Sequence, residues 1–308
     1  MSMKLAISGQ VLSGTKPLEA ILEILRKYDV GAIELWPLNI PPRPGAGECN
    51  LYRYEGRSIE RAKELLKSYG IRAACVTMPG GASQGLASNA EDYSNALIHA
   101  IDVAAELGAP VVNHYCHYLP LHEMDSNPER VRRYWDSAIE KAERTGISLA
   151  LENEPFDATS TPEGMLQVLE RVGSMRFGTN YDACNYHHAG EEGYPYAYDV
   201  LKKWIRYVHL KNGCIYHPEA GHLEASKGIP FFGARSHKHI YYTPVGEGAL
   251  NIDALLLRLE NDGYSGYCTL EPHTAPDLID RYYAAEVVYL RRRGFFTETE
   301  KSKKGAES

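Results

Sequence analysis

The sequence predicts a single-domain α/β fold, a (β/α)8 barrel of the TIM type. Eight apolar strand-like runs alternate with amphipathic segments along its 308 residues, a length that such barrels reach as one domain. No antiparallel hairpin signal interrupts the alternation. The first strand leads into SGQVLSG (Ser8 to Gly14) and not into a GxGxxG turn opening a helix, which disfavours the alternative of an open, doubly wound sheet.

The elements follow in order. Lys4 to Ser8 reads as strand one, and Pro17 to Tyr28 as a helix with Leu18, Ile21, Leu22 and Leu25 on one face. Gly31 to Trp36 is strand two, followed by PPRPGAGE, which cannot be regular structure. Ser58 opens a helix whose apolar face is Ile59, Ala62, Leu65, Leu66 and Tyr69, and Gly70 sits at its C-terminal cap. Ile71 to Val76 is strand three. After MPGGASQG comes a helix from about Ala90 to Leu107, stopped by Gly108, and then strand four, Val111 to His114.

SNPER (Ser126 to Arg130) offers an N-cap with Pro128 in the first turn of the next helix. Ile147 to Leu151 is an apolar run of the kind a strand buried on both faces makes, closed by Glu152 and Glu154. Thr161-Pro162-Glu163 starts another helix, and Arg176 to Asp182 is strand six. A Tyr/His/Gly-rich loop and a short helix ending near Trp204 precede strand seven, Tyr207 to Lys211. Asn212 to Gly248 is expected to be a long functional loop carrying His217, His222, His237 and His239. Asn251 caps a leucine-rich helix, Tyr267 to Glu271 is strand eight, and a helix from about Asp277 to Arg293 closes the pattern. The barrel is expected to span 1–295, with 296–308 as a polar, disordered tail.

A net charge of -7 gives no footprint for nucleic acid. No apolar stretch approaches the roughly 20 residues that cross a bilayer, and the chain begins in a strand and not a signal peptide, so the cytoplasm is the expected location. The six cysteines contain no CxxC pair, so neither a zinc ribbon nor a disulfide framework is indicated. The aromatic stretch Tyr194 to Tyr198 points to surface for self-association into a homo-oligomer.

Function shows in the strand ends. Glu152, Asp182, His209 and Glu271 each stand where a strand-like run surfaces. In a barrel all carboxyl ends meet at one mouth, so the four converge. An unpartnered buried carboxylate is costly, so it must be paired, protonated or metal-bound. Singly, each is more simply an ion-pair partner at the rim. Together, three carboxylates and one imidazole suit one hard divalent cation, Mn²⁺ first, with Mg²⁺, Co²⁺ and Zn²⁺ as alternatives. Lys211 and Glu154 lie two residues from His209 and Glu152, on the same strand faces. Asn185, Arg235 and His114 at the end of strand four are further substrate-binding candidates, with a satisfied buried histidine as the equal alternative for His114. Arg235, His187, His188, His237 and His239 are expected on loops over the mouth. Glu34 is expected to line the barrel, and Trp36 and Tyr115 to stack on a sugar ring or simply to be core aromatics.

LALENEP, FGTNYDACN, YVHLKN, PVGEG and TLEP resemble the corresponding segments of the xylose-isomerase-like barrels, the sugar isomerase and epimerase group that also contains endonuclease IV. The resemblance covers nearly the whole chain and is specific at the four ligand positions. It implies that Glu152, Asp182, His209 and Glu271 bind the metal and that Glu152 and Glu271 transfer protons, as in the ketose 3-epimerase members. The activity implied is isomerisation or epimerisation of a sugar or polyol ketone through a metal-stabilised enediolate. Its alternative is a lyase of the same group, dehydrating an inosose or eliminating from a 3-keto-sugar. Asn185 stands where family members often carry a histidine that is a zinc ligand in endonuclease IV, which weighs against a nuclease.

Overall fold

The computed structural model describes residues 2–10, 16–78, 90–116, 132–216, 231–233, 238–275 and 277–297. Its centre is a closed parallel barrel of eight strands: β1 (Lys4–Ser8), β2 (Ala32–Leu35), β3 (Arg72–Thr77), β4 (Val111–His114), β5 (Ser148–Glu152), β6 (Phe177–Asp182), β7 (Ile205–Leu210) and, last in the chain, β11 (Tyr267–Leu270). Each of the first seven pairs with its successor, and β11 closes the ring between β7 and β1.

The α-helices among the described residues are α1 (Leu18–Lys27), α2 (Ile59–Tyr69), α3 (Ala90–Leu107), α4 (Asp136–Thr145), α5 (Pro162–Val172), α6 (Ala183–Ala189), α7 (Tyr196–Leu201), α8 (Ile252–Asn261) and α9 (Ile279–Arg292), all anticipated by sequence except α6, which was read as a loop. Their starts obey the expected chemistry. Ser58, Thr161 and Asn251 each accept the backbone N–H three residues on, at 3.3, 3.0 and 3.0 Å, a contribution of about 1 kcal/mol per cap. Gly70 ends α2 at φ 67°, a conformation that costs glycine nothing. The start of the helix anticipated at Ser126 to Arg130 lies outside the described residues. No described helix is long and apolar enough to cross a membrane.

Two layers form the interior. The larger lies between barrel and helices and includes Leu18, Ile21, Leu22 and Leu25 of α1 with Ile33, Leu35, Val112, Leu149 and Leu151 of the strands. The smaller lies inside the barrel, built from Ala6, Ala32, Ala74, Ala150 and Tyr207. Alanine from four strands leaves the narrow lumen room for larger side chains, Tyr207 and Tyr267 among them. Strand periodicity then places Glu34, Glu152 and His209 two residues further on, toward the carboxyl end of the same lumen.

The connection after β7 departs from expectation. Where a long loop was anticipated, β8 (Asn212–Tyr216), β9 (Phe231–Gly233) and β10 (Lys238–Thr243) form an antiparallel sheet in the order β8-β10-β9. Thr243 pairs with Asn212 and His239 with Tyr216. The hairpin is invisible to a search for short turns because its two strands are separated by more than 20 residues of chain. Arg235, His217, His222 and His237 lie outside the described residues.

Candidate metal centre

The four residues singled out by sequence meet. Glu152 and Asp182 end β5 and β6, His209 is one residue from the end of β7, and Glu271 directly follows β11, its N–H donating to Leu210 O at 3.2 Å. Asp182 and His209 are register partners across β6 and β7. One donor atom from each of the four lies within 4.8 Å of the others, and all four residues are buried.

Each side chain is fixed by others from the lumen. Glu152 Oε2 accepts from Asn113 Nδ2 at 2.8 Å and Asn180 Nδ2 at 3.2 Å, while Oε1 faces His209 Nδ1 at 3.2 Å and Asn185 Nδ2 at 3.4 Å. Asp182 caps α6 through Oδ1, which accepts the Asn185 N–H at 2.9 Å, and its Oδ2 faces Lys211 Nζ at 2.8 Å. Asn153 anchors the Asp182 backbone by two 2.9 Å bonds. Glu271 Oε2 is surrounded by Lys211 Nζ at 2.9 Å, His209 Nδ1 at 3.3 Å and His273 Nε2 at 3.4 Å.

Electrostatics follow from this crowding. Burial pushes Glu271 up, but the opposing charges of His209 and Lys211 outweigh it and hold the carboxyl well below the usual range. Glu152 is lowered by the same contest, burial against His209. For Asp182 burial prevails and the pKa is raised. Lys211 and His209 lose solvation, yet the surrounding carboxylates raise both well above their ordinary values. Burial and the neighbouring charge of Glu152 keep Glu154 well above the carboxylate range.

A divalent cation fits this set. Three carboxylates (Glu152, Asp182, Glu271) and the His209 imidazole converge with the Lys211 ammonium as the cation between two of them, so acceptor atoms outnumber cationic groups at a buried point. Oxygen-rich donors with one imidazole and no thiolate suit a hard or borderline ion.

Lys211 and Asn185 join the cluster as expected, and Glu34 lines the lumen. His114 does not join it. Asn113 takes the inward face of β4, so its neighbour points the other way, into a buried aromatic nest of Tyr93, Trp135 and Phe177, where its Nδ1 bonds Tyr93 OH at 2.8 Å. His187 and His188 lie on helix α6 and not on a loop, and His188 is buried with Nδ1 3.3 Å from Tyr242 OH. Trp36 and Tyr115 are buried, 6.3 Å apart, and Asn113 Nδ2 donates to Tyr115 OH at 3.2 Å beside Glu152. Of the aromatic stretch proposed for association, Tyr196 is exposed and Tyr198 buried. Sequence reasoning missed Asn113, Asn180, His273 and Tyr242. His273 could have been found by the rule that found Lys211, since it stands two residues beyond a ligand position, and its ring lies 4.7 Å from that of Tyr242.

A family description, the xylose isomerase-like TIM barrel, matches residues 22–293. The chain belongs to that family. Among solved xylose isomerase-like barrels, a D-tagatose 3-epimerase-like protein superposes with a TM-score of 0.66 at 20% identity, covering 95% of this chain and 99% of that one. A probable 3-DHS dehydratase, AsbF of Bacillus anthracis, gives 0.63 at 19%, with 94% and 99% covered. A xylose isomerase-like barrel protein from Mycobacterium smegmatis, in complex with magnesium, gives 0.64 at 17%, with 95% and 97% covered. Identities this low speak for the shared fold alone. No curated protein matches the chain significantly.

Proposed function

We propose that the protein is a divalent-metal-dependent isomerase or epimerase of a sugar or polyol ketone, with Glu152, Asp182, His209 and Glu271 as ligands and Glu152 and Glu271 as the proton-transferring pair. The observation that carries this is the approach of Glu152 Oε1 and Glu271 Oε2 to one nitrogen, His209 Nδ1, at 3.2 and 3.3 Å: two carboxylates flank a single point. A bound cation would polarise a ketone and offset the negative charge of the enediolate formed when the neighbouring carbon loses its proton.

The chain's own groups do the rest. Glu271, held ionised by His209 and Lys211, accepts a proton from the carbon beside the carbonyl. Glu152, held by Asn113 and Asn180, stands across the cluster and returns a proton to the carbon from its carboxylic-acid form; the step leaves Glu271 protonated and Glu152 ionised, and proton exchange of both with solvent restores the pair. Lys211, kept protonated, faces the substrate oxygens from the Glu271 side, and Asn185 offers an amide donor near Glu152.

The same ammonium supports the second reading. A protonated amine beside the base can give its proton to a departing β-hydroxyl, which converts the enediolate route into a dehydration, the chemistry named for the Bacillus anthracis neighbour. Incubation of the metal-loaded protein in D₂O with a panel of ketoses and ketoinositols separates the two. Deuterium beside the carbonyl at unchanged formula supports isomerisation or epimerisation, loss of water supports the lyase, and neither with any substrate removes both.

A further inference from the structure

We infer that Glu34, on β2, is a positioning residue for His209: it sets which imidazole nitrogen faces the cation site. This rests on the metal-centre reading above. His209 Nε2 lies 2.8 Å from Glu34 Oε2, and Nδ1 faces the convergence of Glu152 and Glu271 at 3.2 and 3.3 Å. Carboxylates face both nitrogens, but Glu34 is the nearest acceptor, at 2.8 Å against 3.2 and 3.3 Å, so the single hydrogen of the neutral ring sits on Nε2. Nδ1 is then the nitrogen whose lone pair is free in the neutral ring, and it points where the other donors meet. Asn180 Nδ2, 3.3 Å from Nε2, does not compete for this role. It is a donor itself and gives its hydrogens to Asn113 Oδ1 at 3.1 Å and Glu152 Oε2 at 3.2 Å.

The carboxylate is itself held. Thr77 Oγ1 donates to Glu34 Oε1 at 2.7 Å, and Tyr207 OH donates to Oε2 at 3.2 Å. Tyr207 is hydrogen-bonded in turn to Thr269. Glu34 is fully buried. It also reaches His209 from across the lumen, since β1 and β11 stand between β2 and β7 in the barrel order, so no backbone pairing brings the two together. A buried carboxylate is costly unless paired, and a residue needed only to fill this space would be apolar. The arrangement is that of a metal-ligating histidine oriented by an outer carboxylate, in which loss of the outer partner typically weakens metal binding by about 10- to 100-fold.

The test uses the full-length protein and Mg²⁺ alone. Calorimetric titration compares wild type, Glu34→Gln, Thr77→Val and, as the ligand control, Glu152→Gln, while ¹⁵N NMR of the Mg²⁺-loaded forms reads the His209 tautomer. Glu34→Gln should bind Mg²⁺ about 10- to 100-fold more weakly and show a mixture of His209 tautomers where wild type shows one, protonated at Nε2. Thr77→Val, which leaves the carboxylate in place but removes its anchor, should weaken binding in the same direction by about tenfold or less, one hydrogen bond's worth, and covers the case in which Glu34→Gln folds poorly. Wild-type affinity and a single unchanged tautomer in both variants, beside lost binding in Glu152→Gln, would overturn the role of Glu34 alone. Wild-type affinity in Glu152→Gln, or none in the wild type, would overturn the metal centre itself and this role with it.

Discussion

Lys211 Nζ bridges Asp182 and Glu271, lying 2.8 Å from Asp182 Oδ2 and 2.9 Å from Glu271 Oε2. One ammonium thus sits against two of the four donors and supplies part of the charge balance that a cation would otherwise provide. Lys211→Met should therefore lower the stability of the metal-free protein, because it leaves buried carboxylates without a partner. Added Mn²⁺ should stabilise the variant more than it stabilises wild type, since repulsion between ammonium and cation is gone. Thermal melts with and without the ion check this, and an equal shift in both proteins would contradict it.

Glu271 is expected to act as both ligand and proton carrier. In Glu271→Gln at saturating Mn²⁺, proton exchange at the substrate carbon should fall by at least about a hundredfold, because an amide has no proton-transfer pKa near neutrality. Exchange rates followed by NMR in D₂O decide the matter. Activity recovered by metal alone would leave Glu271 a ligand only and move the base to Glu152.

His114 is expected to matter to acid stability and not to turnover. Burial lowers its pKa from 6.5 to about 3. Since the folded pKa lies below the unfolded one, the neutral ring's contribution is full above about 6.5 and is lost as pH falls toward 3. His114→Phe should cost about 1 kcal/mol at neutral pH through the lost Tyr93 bond, yet move the acid-unfolding midpoint to lower pH. Circular dichroism against pH reads the midpoint, and deuterium exchange at the substrate carbon should proceed at the wild-type rate.

Glu286 predicts the opposite limb. It is fully buried on α9 with no hydrogen bond of good geometry to either oxygen among the described residues, and burial pushes its pKa well up, only partly offset by the Val245 backbone. A raised folded pKa means that stability is full below the unfolded value and declines as pH rises through the folded one. Glu286→Gln, which cannot ionise, should flatten this loss of stability as pH rises above the ordinary carboxylate value of 4.5. A stability profile parallel to wild type would show that Glu286 is not its source.

The barrel was legible because its signals are local and repeated. Ser58, Thr161 and Asn251 announce their helices, and the apolar runs before Glu152 and Asp182 announce buried strands. The four donors were legible because strand ends in a closed barrel have only one place to meet. His114 stayed open between a substrate contact and a buried core histidine because its position at a strand end says nothing of which way it faces. That depends on register, and Asn113 holds the inward side. The β8-β10-β9 sheet was hidden for a related reason: its pairing joins segments far apart in the chain. Glu34 could be placed in the lumen, but its bond to His209 crosses between strands that are not neighbours, a relation that no spacing in the sequence encodes.

Asp182 divides two tasks between the two oxygens of one carboxyl. Oδ1 starts helix α6 through the Asn185 N–H, and Oδ2 is left for Lys211 or a cation. Folding and chemistry therefore draw on the same position through separable atoms. An asparagine there keeps an oxygen for the helix and surrenders the charge, whereas an alanine removes both and a glutamate carries the charge out of reach of the helix start. Few substitutions meet both demands, so the residue is constrained twice over, once by the requirement to fold and once by the requirement to react.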